Sequence, residues 1–286
     1  MAAPSPFDRI ADTIRGQLVD QVRSVFNDTS KGHKPEPPSD DALFIKDSPI
    51  RRVHADLVGM MVGGVRSLLL QMLHPAALQG VLDHSNFRED MHGRLQRTAQ
   101  FIAVTTFGQR DRAMAAIERV NAIHERVGGV LPDGTSYSAR DPRTLAYVHV
   151  AEALSFLAAY KRHVRPEMPY AEQDKYFAQF AVIARALGCE PVPETVNEAE
   201  RLFRDYRREL TGSAGAREVA RLVLTQRPTG TPFAVQQAIS TDAVAMLPPF
   251  ARAMLGLPPP SALSALPVRA ATWGMGRTLR WAFRQT

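Results

Sequence analysis

The chain has 286 residues, of which 45% are hydrophobic and 22% charged, a composition typical of a folded globular protein and not of a disordered one. Its net charge is +6, and five basic residues but no acidic ones follow Asp242. A single cysteine, Cys189, excludes a disulfide within the chain and favours a reducing compartment.

Apolar periodicity and turn residues predict a chain that is almost wholly α-helical. An amphipathic helix is expected from about Phe7 to Phe26 in an N-terminal segment, 1–27, and the Pro- and Asp-rich residues 28–46 are predicted to be a linker. The further predicted helices cover about residues 53–73, 76–83, 94–107, 111–127, 142–163, 170–187, 194–210, 216–225, 231–254 and 268–283. The helix over 231–254 is either continuous or broken at Pro248-Pro249. Residues 130–140 carry turn residues, with room for two short strands.

These elements predict a single all-α globular domain over residues 47–257, followed by a basic amphipathic segment, 258–286. The longest apolar stretch is interrupted by Arg66 and is too short to span a membrane, so we expect a buried core helix. Residues 1–13 lack the pattern of a signal peptide, which predicts a cytoplasmic location. The basic segment either packs on its own core or contacts an anionic membrane surface. No nucleic-acid motif accompanies it, so no nucleic-acid partner is expected.

Common nucleotide-binding and zinc-binding motifs are absent, which directs attention to the helix faces. On the predicted helix 111–127, Ile117, Val120, His124 and Val127 share one face. His124 therefore projects from an apolar stripe. It is either a hydrogen-bonded core residue or a neutral imidazole of the kind that a haem iron takes as its proximal ligand.

On the preceding predicted helix, Arg94, Arg97, Thr98, Phe101 and Thr105 share a face by the same spacing. In one interpretation this is a helix start whose arginines reach solvent along apolar stems. In the other it is a polar wall over a cofactor, with guanidinium groups that pair with propionates or hold an oxygen ligand.

Several motifs occur in order between about Val53 and Met254. They are Leu70-Gln71-Met72-Leu73-His74-Pro75-Ala76, Asp83-His84-Ser85, Gly93-Arg94-Leu95-Gln96-Arg97-Thr98, Phe107-Gly108, Val120-Asn121-Ala122-Ile123-His124, Asp141-Pro142, Tyr147-Val148-His149 and Ser155-Phe156-Leu157. Together they resemble the family of the latex-clearing protein and the MpaB-type oxygenases. That resemblance implies a helical fold with a globin-like core, haem b as cofactor, and use of O₂ on carbon–carbon double bonds.

Carried over by motif, the resemblance makes His124 the proximal iron ligand. Val120, which shares a face with His124, and Phe101, which shares a face with Arg94, are then expected beside the cofactor. The family's distal Arg-x-x-Lys-Thr pattern falls on Arg94, Arg97 and Thr98. Arg97 replaces the lysine, and because arginine stays protonated it is a poor iron ligand. The resemblance therefore implies a distal site that is open or occupied by water.

The family's catalytic glutamate, about one helix earlier, has no counterpart in this sequence. Residues 74–81 hold Gln79 and no carboxylate, and an amide cannot accept a proton as a general base. Either His74 serves in its place or the reaction differs. Polyisoprene is therefore not the expected substrate.

The remaining histidines offer a second candidate ligand. His149 and Glu152 are three residues apart on a predicted helix, and form either a structural pair or an alternative axial ligand with its orienting carboxylate. His33, His54, His92 and His163 lie in polar or basic settings and are predicted to be surface residues.

The sequence thus predicts a haem-b-dependent oxidoreductase of oxygenase or peroxidase type, acting with O₂ or peroxide on a small apolar substrate. The alternative is a helical protein that binds haem or another apolar ligand without turnover. The missing base at Gln79 favours that alternative.

Overall fold

The fold is known from a computed structural model that describes residues 36–226, 233–258 and 274. These residues form eleven α-helices, one 3₁₀ turn and one two-stranded hairpin, which confirms the predicted all-α class. The globin-like arrangement of the core stays a prediction. The helices predicted over residues 7–26 and 268–283 lie outside the described residues.

The helices follow the predicted order closely. They are α1 (Pro49–Ala55), α2 (Leu57–Gln71), α3 (Pro75–His84), α4 (Met91–Phe107), α5 (Arg110–His124), α6 (Pro142–His163), α7 (Tyr170–Ala186), α8 (Val196–Asp205), α9 (Ala214–Thr225), α10 (Phe233–Ala245) and α11 (Pro249–Leu255). Strands β1 (Gly128–Val130) and β2 (Ser136–Ser138) pair antiparallel between α5 and α6.

The helix predicted from Val53 to Leu73 is in fact two helices, α1 and α2, bent by 88°. The break lies at Asp56, whose side chain accepts a hydrogen bond of 2.7 Å from the Gly59 N–H and so caps the start of α2. Within the described chain no single helix is long and apolar enough to span a membrane. Only the bent α1–α2 pair meets those criteria together.

The core is built on α2 packed along α6. A Cβ at Gly63 would lie 2.8 Å from the Phe156 ring and 3.0 Å from its Cα, so glycine is what lets the two helices approach. The buried Tyr147 hydroxyl donates a 2.6 Å hydrogen bond to the Leu70 carbonyl. This hydrogen bond holds one face of α6 against α2, and another face of α6 packs against α7.

Helix α4 begins at Asp90, whose carboxylate caps the Gly93 N–H at 2.8 Å, and it packs against α5. The pair adjoins α1 but makes few close backbone approaches to α6 and α7. Residues 36–46 run along the turn between α4 and α5, where the Ser39 N–H donates to the Phe107 carbonyl at 2.8 Å. Phe44 from that segment is buried in the core.

His163, predicted to be a surface residue, is instead buried. Its Nε2 lies 2.7 Å from Asp242 Oδ2, and both side chains are 1% exposed. Arg162 reaches the other carboxylate oxygen at 2.8 Å. The surface prediction was wrong because the partner comes from α10, far along the chain, and this cluster ties α10 to the end of α6.

Candidate functional site

Arg94 on α4 is a largely enclosed cation without a counter-ion. Its guanidinium donates to Ser85 Oγ at 3.2 Å, and within the described part of the chain it meets no carboxylate. Burial, followed by the nearby charge of Arg97, lowers the pKa of the Arg94 guanidinium to about 10. The group is therefore charged at neutral pH, and an unpaired charge in such a place is costly unless an anion joins it.

Arg97 and Thr98 occupy the more exposed side of the same helix. Arg97 forms an ion pair of 3.3 Å with Asp90, the residue that caps α4. The Thr98 hydroxyl donates to the Arg94 carbonyl at 3.2 Å. Both side chains are exposed, so their hydrogen-bonding groups are accessible to a bound molecule.

His124 is the last residue of α5 and is half-buried. Its Nδ1 atom is buried and has no hydrogen-bond partner among the described residues. Burial, and then the charge of Arg140, lower the pKa of the His124 imidazole. The ring is therefore neutral at physiological pH, which is the form that binds metal ions.

The predicted site residues lie on two neighbouring helices, far along the chain from the turn that joins them. Arg94 and Thr98 lie 14 and 10 residues before Gly108, and Val120 and His124 lie 11 and 15 residues after Gln109. Helix α4 packs against α5. Val120 and Phe101 are half-buried. These residues of the α4–α5 pair form the candidate site.

His74 lies in a different set of contacts. Its ring stacks on Tyr147 at 5.1 Å, and its Nε2 is 4.0 Å from a Glu209 oxygen. Burial lowers the pKa of the His74 imidazole, while the Glu209 carboxylate acts in the opposite direction. None of the ring, ion-pair or hydrogen-bond contacts of His74 in the described structure involves Arg94, Arg97 or Thr98. The structure does not bring this predicted catalytic residue to them.

His149 and Glu152 share a face of α6. His149 is 5% exposed, its Nε2 has no partner in the described chain, and burial lowers the pKa of its imidazole to about 4. Burial raises the pKa of the Glu152 carboxyl to about 7. No hydrogen bond or ion pair to Glu152 occurs among the residues described. Near neutral pH the buried His149 imidazole is therefore uncharged, and the half-buried Glu152 carboxyl is partly protonated.

His54, which was predicted to be a surface residue, is instead buried. It is 5% exposed, its Nδ1 lies 2.8 Å from Thr106 Oγ1, and its Nε2 has no partner in the described chain. Burial lowers the pKa of the His54 imidazole to about 3. The missed signal is its spacing of four residues from Ile50, which is fully buried on the same face of α1.

The turn after α7 lies near α5, which carries His124, and near Glu152 on α6. The Asn121 amide, one helical turn before His124, donates to the Ala186 carbonyl at 3.0 Å. Three residues later, the thiol of Cys189 has its pKa raised to about 12, first by burial and then by the Glu152 carboxyl. The α6 face that carries Glu152 therefore lies near the end of α5 that carries His124.

Comparison with known proteins gives one decisive match. The model of the family described as ER-bound oxygenase mpaB/B'/Rubber oxygenase, catalytic domain, matches residues 51–281, well over half of the chain. The chain belongs to this family. The match confirms the resemblance seen in the motifs and makes this an oxygenase-type oxidoreductase domain. Neither a curated protein nor a solved structure matched the chain significantly.

The described residues of this oxygenase domain contain no self-contained metal site. They hold no group of three or more His, Cys, Asp or Glu side chains placed to bind a metal ion together. Haem needs only one axial ligand from the protein and cations for its propionates. The neutral, unpartnered imidazole of His124 and the uncompensated guanidinium of Arg94 fit those two needs.

Proposed function

We propose that this oxygenase domain binds haem b, with His124 as the proximal ligand, and acts with O₂ or peroxide on a small apolar substrate. One observation carries the proposal. The two neighbouring helices α4 and α5 carry, in their parts remote from the connecting turn, an enclosed cation without a counter-ion and a neutral imidazole without a hydrogen-bond partner among the described residues.

The state of His124 favours it as the ligand. Because its pKa is already lowered, the ring loses no proton when it binds a metal ion at neutral pH. His149 has the same protonation state and remains the alternative ligand. His124 is preferred because its helix, α5, packs against α4, which carries Arg94, whereas His149 packs against the Phe180 ring at 4.8 Å.

Arg94 is the proposed partner of a haem propionate. Its guanidinium uses one hydrogen bond on Ser85 and keeps its other donors for an anion, to which arginine binds through two parallel hydrogen bonds. Arg97 would supply further N–H donors beside it, and the Thr98 hydroxyl, which donates its proton to the Arg94 carbonyl, would offer an acceptor. Neither arginine would bind iron, because a guanidinium stays protonated.

The protein's contribution is therefore to bind, orient and exclude water. Haem b, when bound, supplies the oxygen and one-electron chemistry that side chains cannot perform. The side chains of Phe101 and Val120, half-buried beside the candidate site, provide an apolar surface for the cofactor. Gln79 cannot itself act as a base, and its amide donates to the Asp83 carboxylate at 2.7 Å on the surface.

The test of turnover uses the purified protein, reduced and then exposed to O₂ with small apolar alkenes. We expect oxygenated or cleaved products by mass spectrometry, with incorporation of label from ¹⁸O₂. The presence of Gln79 where the family's catalytic glutamate is expected favours a second candidate, a protein that binds haem or another apolar ligand without catalysis. Full haem loading with no labelled product from any alkene would decide for that second candidate.

A further inference from the structure

Arg140 binds the end of α5 on both sides of His124. It lies just before α6, and its guanidinium Nη1 donates to Asn121 Oδ1 at 2.9 Å while its Nε lies 3.1 Å from Glu125 Oε1. Asn121 is three residues before His124, and Glu125 is the residue after it. With about 3.6 residues per helical turn, these positions lie on one side of the helix end, so a single side chain bridges the turn that carries His124.

The bridge extends to the end of α7. Asn121, whose side-chain oxygen accepts from Arg140, also donates its amide N–H to the Ala186 carbonyl at 3.0 Å. The same guanidinium nitrogen lies 3.5 Å from the Leu187 carbonyl oxygen. Gly188 follows in the left-handed conformation, and a Cβ there would lie 3.8 Å from the Arg140 guanidinium. Side chains therefore hold the last turn of α5 against the end of α7.

The hairpin after α5 brings Arg140 to this position. Strands β1 and β2 pair with Gly128 opposite Ser138, and next to that pair the Ala139 N–H donates to the Val127 carbonyl at 2.9 Å. The chain thus returns to the end of α5 with Arg140 as its next residue. The Arg140 N–H donates to Ser138 Oγ at 3.1 Å, so the backbone and the side chain of this arginine are both fixed.

Arg140 also brings a charge to the His124 imidazole. Burial first, and then the positive charge of Arg140, lower the pKa of this ring. The Arg140 side chain is 36% exposed and is paired with Glu125, so its charge is largely compensated. Its main effect on His124 therefore comes from the bridge, which joins the two sides of the turn that carries the ring.

We propose that Arg140 is a positioning residue: its bridge across the last turn of α5 holds His124 in place as the axial ligand of haem iron. The proposal rests on the proposed function, since it concerns the same imidazole. Groups that fix a metal-binding histidine before the metal arrives strengthen metal binding. Arginine suits this task and lysine does not, because only the planar guanidinium presents several donors in a fixed fork to two acceptors at once.

The test compares the full-length wild type with Arg140→Met and Arg140→Lys. Haem loss is followed at the Soret band during transfer to excess apomyoglobin, and hydrogen exchange is measured by mass spectrometry for peptides that cover residues 120–127. We expect Arg140→Met to accelerate both about tenfold, the effect of one lost charge-assisted hydrogen bond. Arg140→Lys keeps the charge but not the bridge, so it should lose haem at least about fivefold faster than the wild type.

Arg185→Met is the matched control. Arg185 lies in the last turn of α7 and pairs with Glu194, and no side-chain hydrogen bond or ion pair of Arg185 in the described structure reaches α5. Loss of this exposed pair should leave both rates within about twofold of the wild type. In the ferrous haem-bound protein, the iron–histidine band of the resonance Raman spectrum should shift in Arg140→Met and stay unchanged in Arg185→Met. A role in overall stability alone would not move that band.

Haem loss from Arg140→Met within about twofold of the wild type would overturn the proposal. Full restoration by lysine would overturn it too, because charge alone would then account for the effect, and so would equal acceleration in Arg185→Met. If Arg140→Met does not fold, Asn121→Leu removes the bridge from the α5 side. A wild type that takes up no haem refutes the proposed function and this inference together, whereas a haem-bound wild type matched by Arg140→Met refutes this inference alone.

Discussion

Replacing Glu152 with glutamine will change how the stability of the chain depends on pH. Burial raises the pKa of this carboxyl from 4.5 to about 7, so the folded protein holds a proton that the unfolded chain releases. The stability that this carboxyl contributes is full below pH 4.5 and is lost as the pH rises through about 7. At about 1.4 kcal/mol per pKa unit, the total loss is about 3 kcal/mol, of which about 2 kcal/mol falls between about pH 5.5 and pH 8.

Urea unfolding of the wild type and Glu152→Gln at these two pH values measures this difference. We expect the variant to gain about 2 kcal/mol relative to the wild type as the pH is raised, because glutamine does not ionise. The buried histidines titrate in both proteins and cancel in the comparison. Glu118→Gln, at an exposed site, should show no such gain. A relative gain below about 0.5 kcal/mol would show that Glu152 is not held in an environment that excludes its charge.

Two further predictions follow from the fold, and a third follows from the charge of the C-terminal segment. Gly63→Ala forces a methyl group against Phe156 and should cost about 1–3 kcal/mol, seen as a lower Tm; an unchanged Tm would contradict the close α2–α6 contact. Asp242→Ala removes the carboxylate partner of the buried His163 and should cost about 3–5 kcal/mol in urea unfolding, against less than about 1 kcal/mol if the cluster is unimportant. Deleting residues 258–286, which carry four of the five basic residues after Asp242, should reduce pelleting with anionic vesicles. Unchanged pelleting would exclude a membrane role for this segment.

Local signals account for most of the fold that the sequence predicted. Asp141 and Pro142 predict the start of α6. In the structure Asp141 is the N-cap, and its carboxylate accepts a hydrogen bond of 2.7 Å from the Thr144 N–H. The break between α1 and α2 was not predicted, because Asp56 lies in an otherwise periodic apolar run. The hydrophobic pattern favours one continuous helix through Asp56, whereas the hydrogen bond from the Gly59 N–H to Asp56 favours a new helix start there.

Contacts between distant elements account for what the sequence missed. Periodicity places His124 and Arg94 on their helices, but it does not say whether either has a partner. His54 and His163 were predicted to be surface residues because their neighbours in sequence are polar. Their actual partners, Thr106 and Asp242, lie on other helices, and only the packed structure brings them together.

The most direct test of the central claim is the haem content of purified wild type, His124→Ala and His149→Ala, measured by the pyridine haemochrome assay. We predict about one haem b per chain in the wild type, near-complete loss in His124→Ala, and retention in His149→Ala. Full haem content in His124→Ala, or loss confined to His149→Ala, would contradict the assignment of the axial ligand. A wild-type protein that is colourless and takes up no added haemin would contradict the haem proposal itself.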